Sequence, residues 1–96
     1  MDLNKALKSV MSTGKVLLGY KQAKKALLKK SAKMIIVSSN CPPEVIEDLK
    51  KYNVPVVNYN GTNVDLGAAC GKPFTISALV VIDPGESNIL TAATGS

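Results

Sequence analysis

KPFTISALVVIDPGE, residues 72–86, is the stretch that decides the fold. Ala78, Leu79, Val80, Val81 and Ile82 form an unbroken apolar run, rich in β-branched side chains. A run of that length with no polar alternation reads as a strand covered on both faces, hence a sheet with helices on either side. A buried helix is the alternative for so short a run, and Asp83-Pro84, which ends it after five residues, favours the strand. Both flanks are loop-like: Gly71, Lys72, Pro73 and Thr75 lead in, and Asp83, Pro84 and Gly85 lead out. A rigid strand with such flanks is a mount for recognition loops.

The rest of the chain supplies partners for that strand. Leu3, Ala6, Leu7, Val10 and Met11 repeat at helical spacing, and Thr13-Gly14 is the stop. Lys15 to Gly19, KVLLG, is too short for a helix and reads as an inner strand. Tyr20 to Ser31 is a helix with Ala23, Ala26 and Leu27 on its buried side; Leu28 falls among its lysines by angle. Met34 to Val37 with Ser38 is a second buried strand. Pro43 opens the next helix, with Asn40 or Cys41 near the cap and Val45, Ile46, Leu49 and Tyr52 on its stripe. Its acids Glu44, Glu47 and Asp48 precede Lys50 and Lys51, the order the helix dipole prefers, which makes it electrostatically self-sufficient. Asn53 is its C-terminal cap.

Pro55 to Tyr59 is a strand toward an edge, since proline cannot donate to a ladder. Asn60-Gly61 is a turn, and Thr62 with Asp65 has capping-box spacing for a short helix ending at Gly71. Gly67 in its middle costs about 1 kcal/mol against alanine, so it marks a close approach of another element or of a ligand backbone. Asp83 and Glu86 repeat the cap spacing, with Pro84 at the first helical position and Ser87 to Leu90 as a terminal helix before a frayed tail at 91–96. Alternating helices and strands with short connections predict a three-layer α/β/α sandwich around four strands, as one domain over residues 1–96.

Composition narrows the function. The chain has 96 residues, 46% of them apolar, and a net charge of +5. No segment reaches the roughly 20 apolar residues that span a bilayer. Lys5, Lys8, Lys15 and Lys21 break up residues 1–26, which therefore do not read as a signal peptide, and a cytosolic location is expected. Cys41 and Cys70 lack metal-ligand spacing and read as reduced, partly buried thiols. All twelve basic residues are lysines, and nine lie in residues 1–33 against Asp2 alone, while residues 34–96 hold three lysines and six acids. Such a field attracts nucleic acid or an acidic surface, or simply keeps the surface solvated.

Catalysis is disfavoured. The chain has no histidine, the commonest acid–base group near neutrality. Two cysteines alone do not build a structural zinc site, and no cofactor is expected. Ser87 has no histidine to activate it, and Asp65, Asp83 and Glu86 sit at cap positions that keep them ionised. Binding asks for less. Lys21, Lys24, Lys25 and Lys29 share a helix without an acid, which favours phosphate contact. Gly19 opens that helix either as a binding loop or as an ordinary strand–helix turn. Gln22 and Asn40 have the chemistry to read base edges, and Phe74 or Ile76 to cover an unstacked base.

Four segments resemble a known family: TGKVLLGYKQAKKAL from Thr13, IIVSSNCPP from Ile35, LGAACGKP from Leu66 and SALVVIDPGESNIL from Ser77. Over nearly the whole chain the sequence is similar to the archaeal L-thirty-e family of large-subunit ribosomal proteins, within the superfamily that binds kink-turn RNA. The resemblance implies a mixed four-stranded sheet in an α/β/α sandwich. It implies a structural constituent of the large ribosomal subunit that recognises a bent internal loop of ribosomal RNA, with sheared G·A pairs and a flipped-out nucleotide. The implied partners are ribosomal RNA and neighbouring ribosomal proteins, with no membrane, in the cytoplasm, for a chain that is a monomer when free. The RNA-facing set it implies is Gly19, Tyr20, Lys21, Gln22, Lys24, Lys25 and Asn40, then Leu66 and Gly67, then Lys72, Pro73, Phe74, Thr75 and Ile76, with Asp83, Gly85, Glu86 and Ser87 nearby. Superfamily members that bind guide RNA carry an asparagine–glutamate pair where this chain has Lys21-Gln22, which favours the ribosomal branch. The alternative is a non-ribosomal kink-turn adaptor in a guide-RNA particle, or a protein-interaction module of the same fold.

Overall fold

The structure, a computed structural model, describes residues 3–91. Its elements run α1 (Leu3–Thr13), β1 (Lys15–Leu18), α2 (Tyr20–Leu28), β2 (Met34–Val37), α3 (Pro43–Lys50), β3 (Val56–Asn58), α4 (Asn63–Ala69) and β4 (Ala78–Asp83). The four strands form one sheet in the order β1-β4-β2-β3. β4 is antiparallel to both its neighbours, and β2 is parallel to β3. The sheet is therefore mixed, and the 78–82 run is central, as its unbroken apolar character predicts.

Alternation along the central strands sorts the core into two halves. Leu79 and Val81 of β4, with Met34 and Ile36 of β2, pack against Leu7 and Val10 of α1 and Leu66 of α4. Ala78 and Val80, with Ile35 and Val37, pack on the other face against Ala23, Ala26 and Leu27 of α2 and Leu49 of α3. Both faces of the sheet are thus covered, giving three layers.

Several local expectations change. β1 lies at an edge of the sheet rather than inside it. Its VLL run is apolar because both its faces are still covered: Val16 and Leu18 pack with the α1 side and Leu17 with the α2 side. α3 is capped by Pro42, with no side-chain bond from Asn40 or Cys41. Its cap residue at the C-terminus is Lys51, and Asn53 follows in the left-handed conformation at φ 58°. Of its predicted stripe only Leu49 is fully buried; Val45, Ile46 and Tyr52 are half-buried. Thr62 and Asp65 form the expected reciprocal capping box of α4.

The predicted helix at 87–90 is absent; those residues form turns and irregular chain. The Asp83 carboxylate accepts from the Gly85 amide at 2.9 Å, an Asx turn instead of a helix cap. Gly85 takes φ 58°, and the Glu86 amide donates to Thr13 Oγ1 at 3.0 Å. The chain is turned back onto the end of α1 where the expected helix would start. Of the tail predicted to fray at 91–96, residues 92–96 lie outside the described residues.

Candidate RNA-binding site

Strand direction decides which of the predicted residues can meet. β1, β2 and β3 all end where β4 begins. That end of the sheet gathers the β1–α2 turn, the Ser38–Asn40 segment, the start of α4 and the loop at 72–77. Backbone bonds tie them together: Gly19 N–H to Ala78 O at 2.9 Å, Ser38 N–H to Ser77 O at 2.9 Å and Ile76 N–H to Asn63 O at 3.0 Å.

Gly19 holds φ 92° with open space where a Cβ would project. A residue with a Cβ is strained in that conformation, and the gap leaves the backbone approachable. α2 begins there with no side-chain cap and no acid in its first turn, so its first N–H groups have no side-chain acceptor. α3 and α4 instead carry Glu44 and Asp65 in their first turns. Lys21, Gln22 and Lys25 are exposed beside this uncapped end. The positive helix end and its lysines make a site suited to an anion.

Tyr20 and Lys24 have a second allegiance. The Tyr20 hydroxyl donates to Asp48 Oδ2 of α3, and Lys24 Nζ lies 2.9 Å from the same oxygen. The ammonium also sits 5.6 Å from the Tyr20 ring centroid. The bond to the Asp48 carboxylate raises the pKa of both the Tyr20 phenol and the Lys24 ammonium. The Tyr20 hydrogen bond, then that of Lys24, lowers the Asp48 pKa. α3 is therefore not electrostatically self-sufficient, and the lysine face of α2 does have a compensating acid, supplied by another helix. Reading one helix at a time misses Asp48, and no spacing within α2 reveals it.

Asn40 is positioned as a clasp. Its Oδ1 accepts from Ser38 Oγ at 2.9 Å and from the Asn63 amide at 2.8 Å, while its Nδ2 donates to Asn63 Oδ1 at 3.1 Å. This joins the end of β2 to the start of α4. Asn63 and Ser38 were not singled out from sequence; the position of Asn63 just after the Thr62 cap was the available clue.

Gly67 allows a close approach, but by the chain itself. A Cβ there would overlap the carbonyl oxygen of Phe74. The Lys72 amide donates to Gly67 O at 3.0 Å, so the 72–76 loop is strapped onto α4. Leu66 and Ile76 are buried in the α1-side core, which corrects the expectation that the Ile76 side chain packs beside a base. Lys72, Pro73, Phe74 and Thr75 are exposed, and Phe74 shows 54% of its surface. The loop leaves about half of that residue uncovered.

Asp83, Gly85, Glu86 and Ser87 lie elsewhere. Asp83 is opposite Lys15 in the β1–β4 register, at the far end of the sheet. Six strand residues at roughly 3.3 Å each place these groups about 20 Å from the Gly19 end. The sequence-derived set therefore divides in two. Both cysteines are free and buried. Burial raises the Cys41 thiol pKa, with the Glu44 carboxylate adding to it, and pushes that of Cys70 to about 11. Among the described residues no cluster of histidine, cysteine or carboxylate side chains could hold a metal, and no helix is long and apolar enough to cross a membrane.

The sequence model of the ribosomal protein L7Ae/L30e/S12e/Gadd45 family matches residues 1–91. The chain belongs to this family. It is 45% identical over 92 residues to the large ribosomal subunit protein eL30 of Methanosarcina mazei, covering 96% of this chain and 89% of that protein. The same-named protein of Methanocaldococcus jannaschii is 43% identical over 94 residues, covering 94% of this chain and 86% of the relative. That of Methanospirillum hungatei is 46% identical over 92 residues, covering 95% and 97%.

Proposed function

We propose that this family member is a structural constituent of the large ribosomal subunit and binds a kink-turn-like internal loop of ribosomal RNA. The observation that carries the reading is the meeting, at one end of the sheet, of an uncapped, lysine-flanked helix start with an exposed aromatic loop. Membership of a ribosomal-protein family supports reading the chain as an RNA-binding protein rather than an enzyme. It acts as one RNA-binding domain, a monomer when free, in the cytoplasm within the ribosome beside neighbouring ribosomal proteins.

The roles follow from the geometry. Lys21 and Lys25 position phosphates, and the first amides of α2 donate to the RNA where Gly19 lets it come close. Gln22 reaches a base edge from the same turn. Phe74 stacks on a base that the kink has unpaired, a contact that a regular duplex does not offer. Tyr20, Lys24 and Asn40 hold the surface in shape through Asp48 and Asn63, while Gly67 seats the Phe74 loop.

The test is a titration with a kink-turn RNA and an equal-length plain duplex at about 0.15 M salt. Binding at least about 100-fold tighter to the kinked RNA, roughly 2.7 kcal/mol, is the expected result. Equal and strongly salt-dependent binding would reduce the site to a generic phosphate patch.

A further inference from the structure

A groove of about 230 Å³ runs between α2 and the outer edge of β1, lined by Lys15, Leu17, Gln22, Lys25, Ala26, Lys29, Ser31 and Ile82. Three ammonium groups stand on it. Lys15, Lys25 and Lys29 are exposed, and the nearby Asp48 carboxylate is engaged by Lys24. Leu17, Ala26 and Ile82 supply apolar lining, and Ala26 is a small buried residue that keeps the groove open. No carboxylate lines it.

The groove is continuous with the site described above. Gln22 belongs to the first turn of α2 and also lines the groove. From Gln22 the lining passes along α2 through Lys25 to Lys29, the residue that caps the helix, and on to Ser31 beyond it. Seven residues of helix cover about 10 Å. That spans several nucleotides of one strand of a helical stem. The spacing suits successive phosphates and is too long for one.

We propose that this groove carries the phosphate backbone of an RNA stem flanking the kinked loop, so that the contact extends from the Gly19 end along α2. The occupant is a polyanionic strand: the walls are cationic, acids are absent from the lining, and the groove opens onto the RNA-facing helix start. Lys15 and Lys29, which the kink-recognising set does not include, are phosphate-positioning residues for the stem. The inference rests on the kink-turn reading of the first turn of α2.

The test uses the whole chain and two kink-turn RNAs, one trimmed to the internal loop with minimal stems and one with both stems extended by about ten base pairs. Affinity is measured from about 0.05 to 0.3 M salt for the wild type, for Lys15→Ala/Lys29→Ala, and for a control Lys5→Ala/Lys8→Ala on α1, across the sheet. Circular-dichroism melting confirms that each variant folds. The groove variant should lose about tenfold affinity for the extended RNA, with its salt slope reduced by about two. Its affinity for the trimmed RNA should hold within about twofold, and the control should lose less on the extended RNA. Equal losses on both RNAs, equal losses in the control, or no loss would each overturn the groove while leaving the kink reading intact. A wild type that does not prefer kinked RNA over duplex would overturn the kink reading, and the groove proposal with it.

Discussion

At one end of the sheet Gly19, Lys21 and Phe74 stand open, while at the other the backbone of Gly85 and Glu86 is bonded to Asp83 and Thr13. Both ends flank β4, and both are short polar loops with a glycine and a proline. They differ in what their donors do. The start of α2 keeps amides without a side-chain acceptor, whereas the 83–87 turn uses its amides to close on itself and on α1. A loop whose hydrogen bonds are already internal has little left for a ligand; a loop strapped from behind, with its front free, is ready for one. Composition identifies both as loops, and only strand direction and hydrogen-bond use tell them apart.

The sharpest way to break that contrast is to attack the strap. Gly67→Ala places a methyl group against the Phe74 carbonyl, a backbone atom that cannot rotate away. The expected cost is about 2–3 kcal/mol in urea unfolding, with RNA affinity reduced more than tenfold as the 72–76 loop shifts. Wild-type stability in this variant would mean the open end is not held from behind. Phe74→Ala sharpens the contrast from the other side. The ring is exposed, so unfolding should change by less than about 0.5 kcal/mol. Kink-turn affinity should fall by about 1–3 kcal/mol, the worth of one stacked base, with a smaller change on plain duplex.

How much of this was legible depends on whether the cause lay within one element. The central strand was, because five consecutive apolar residues report two covered faces. The edge position of β3 was, because Pro55 cannot donate to a ladder. The edge position of β1 was not. An apolar run reports covered faces and says nothing about hydrogen-bonded neighbours, and in a three-layer sandwich even an edge strand has both faces covered. The Asp83–Glu86 spacing read as a helix start, because the bond that defeats it comes from Thr13, 73 residues earlier. The same limit hid the partner of Lys24. Within the binding set, Gly19, Lys21, Gln22 and Phe74 were legible as exposed loop or helix-start residues. Gly67 was legible as a point of close approach, but not by which segment, and the structural duties of Asn40 and Ile76 were not legible, since both depend on residues of another element.

The pairing of Lys24 gives a smaller, finer test within the open end. Lys21→Ala should lower the slope of log affinity against log salt by about one. Lys24→Ala should lower it by clearly less, since part of that charge is already neutralised by Asp48 at 2.9 Å. Equal slopes would show that RNA draws Lys24 away from Asp48.

Glu86→Gln carries the smallest expected effect and bears most directly on the division of the site. The Glu86 side chain is exposed, and the bond that fixes its position uses the backbone amide, which the substitution leaves in place. Stability should therefore stay within about 0.5 kcal/mol. The carboxylate lies about 20 Å from the Gly19 end by strand length. That exceeds the Debye length of about 8 Å at 0.15 M salt, so its charge is screened from RNA seated there. With the RNA trimmed to the internal loop, affinity should match wild type within about twofold and the salt slope should not change. A tenfold loss would mean that the Glu86 carboxylate accepts hydrogen bonds from RNA. The kinked loop would then have to reach both ends of the sheet, and the two loops flanking β4 would share one ligand despite their different hydrogen-bond use.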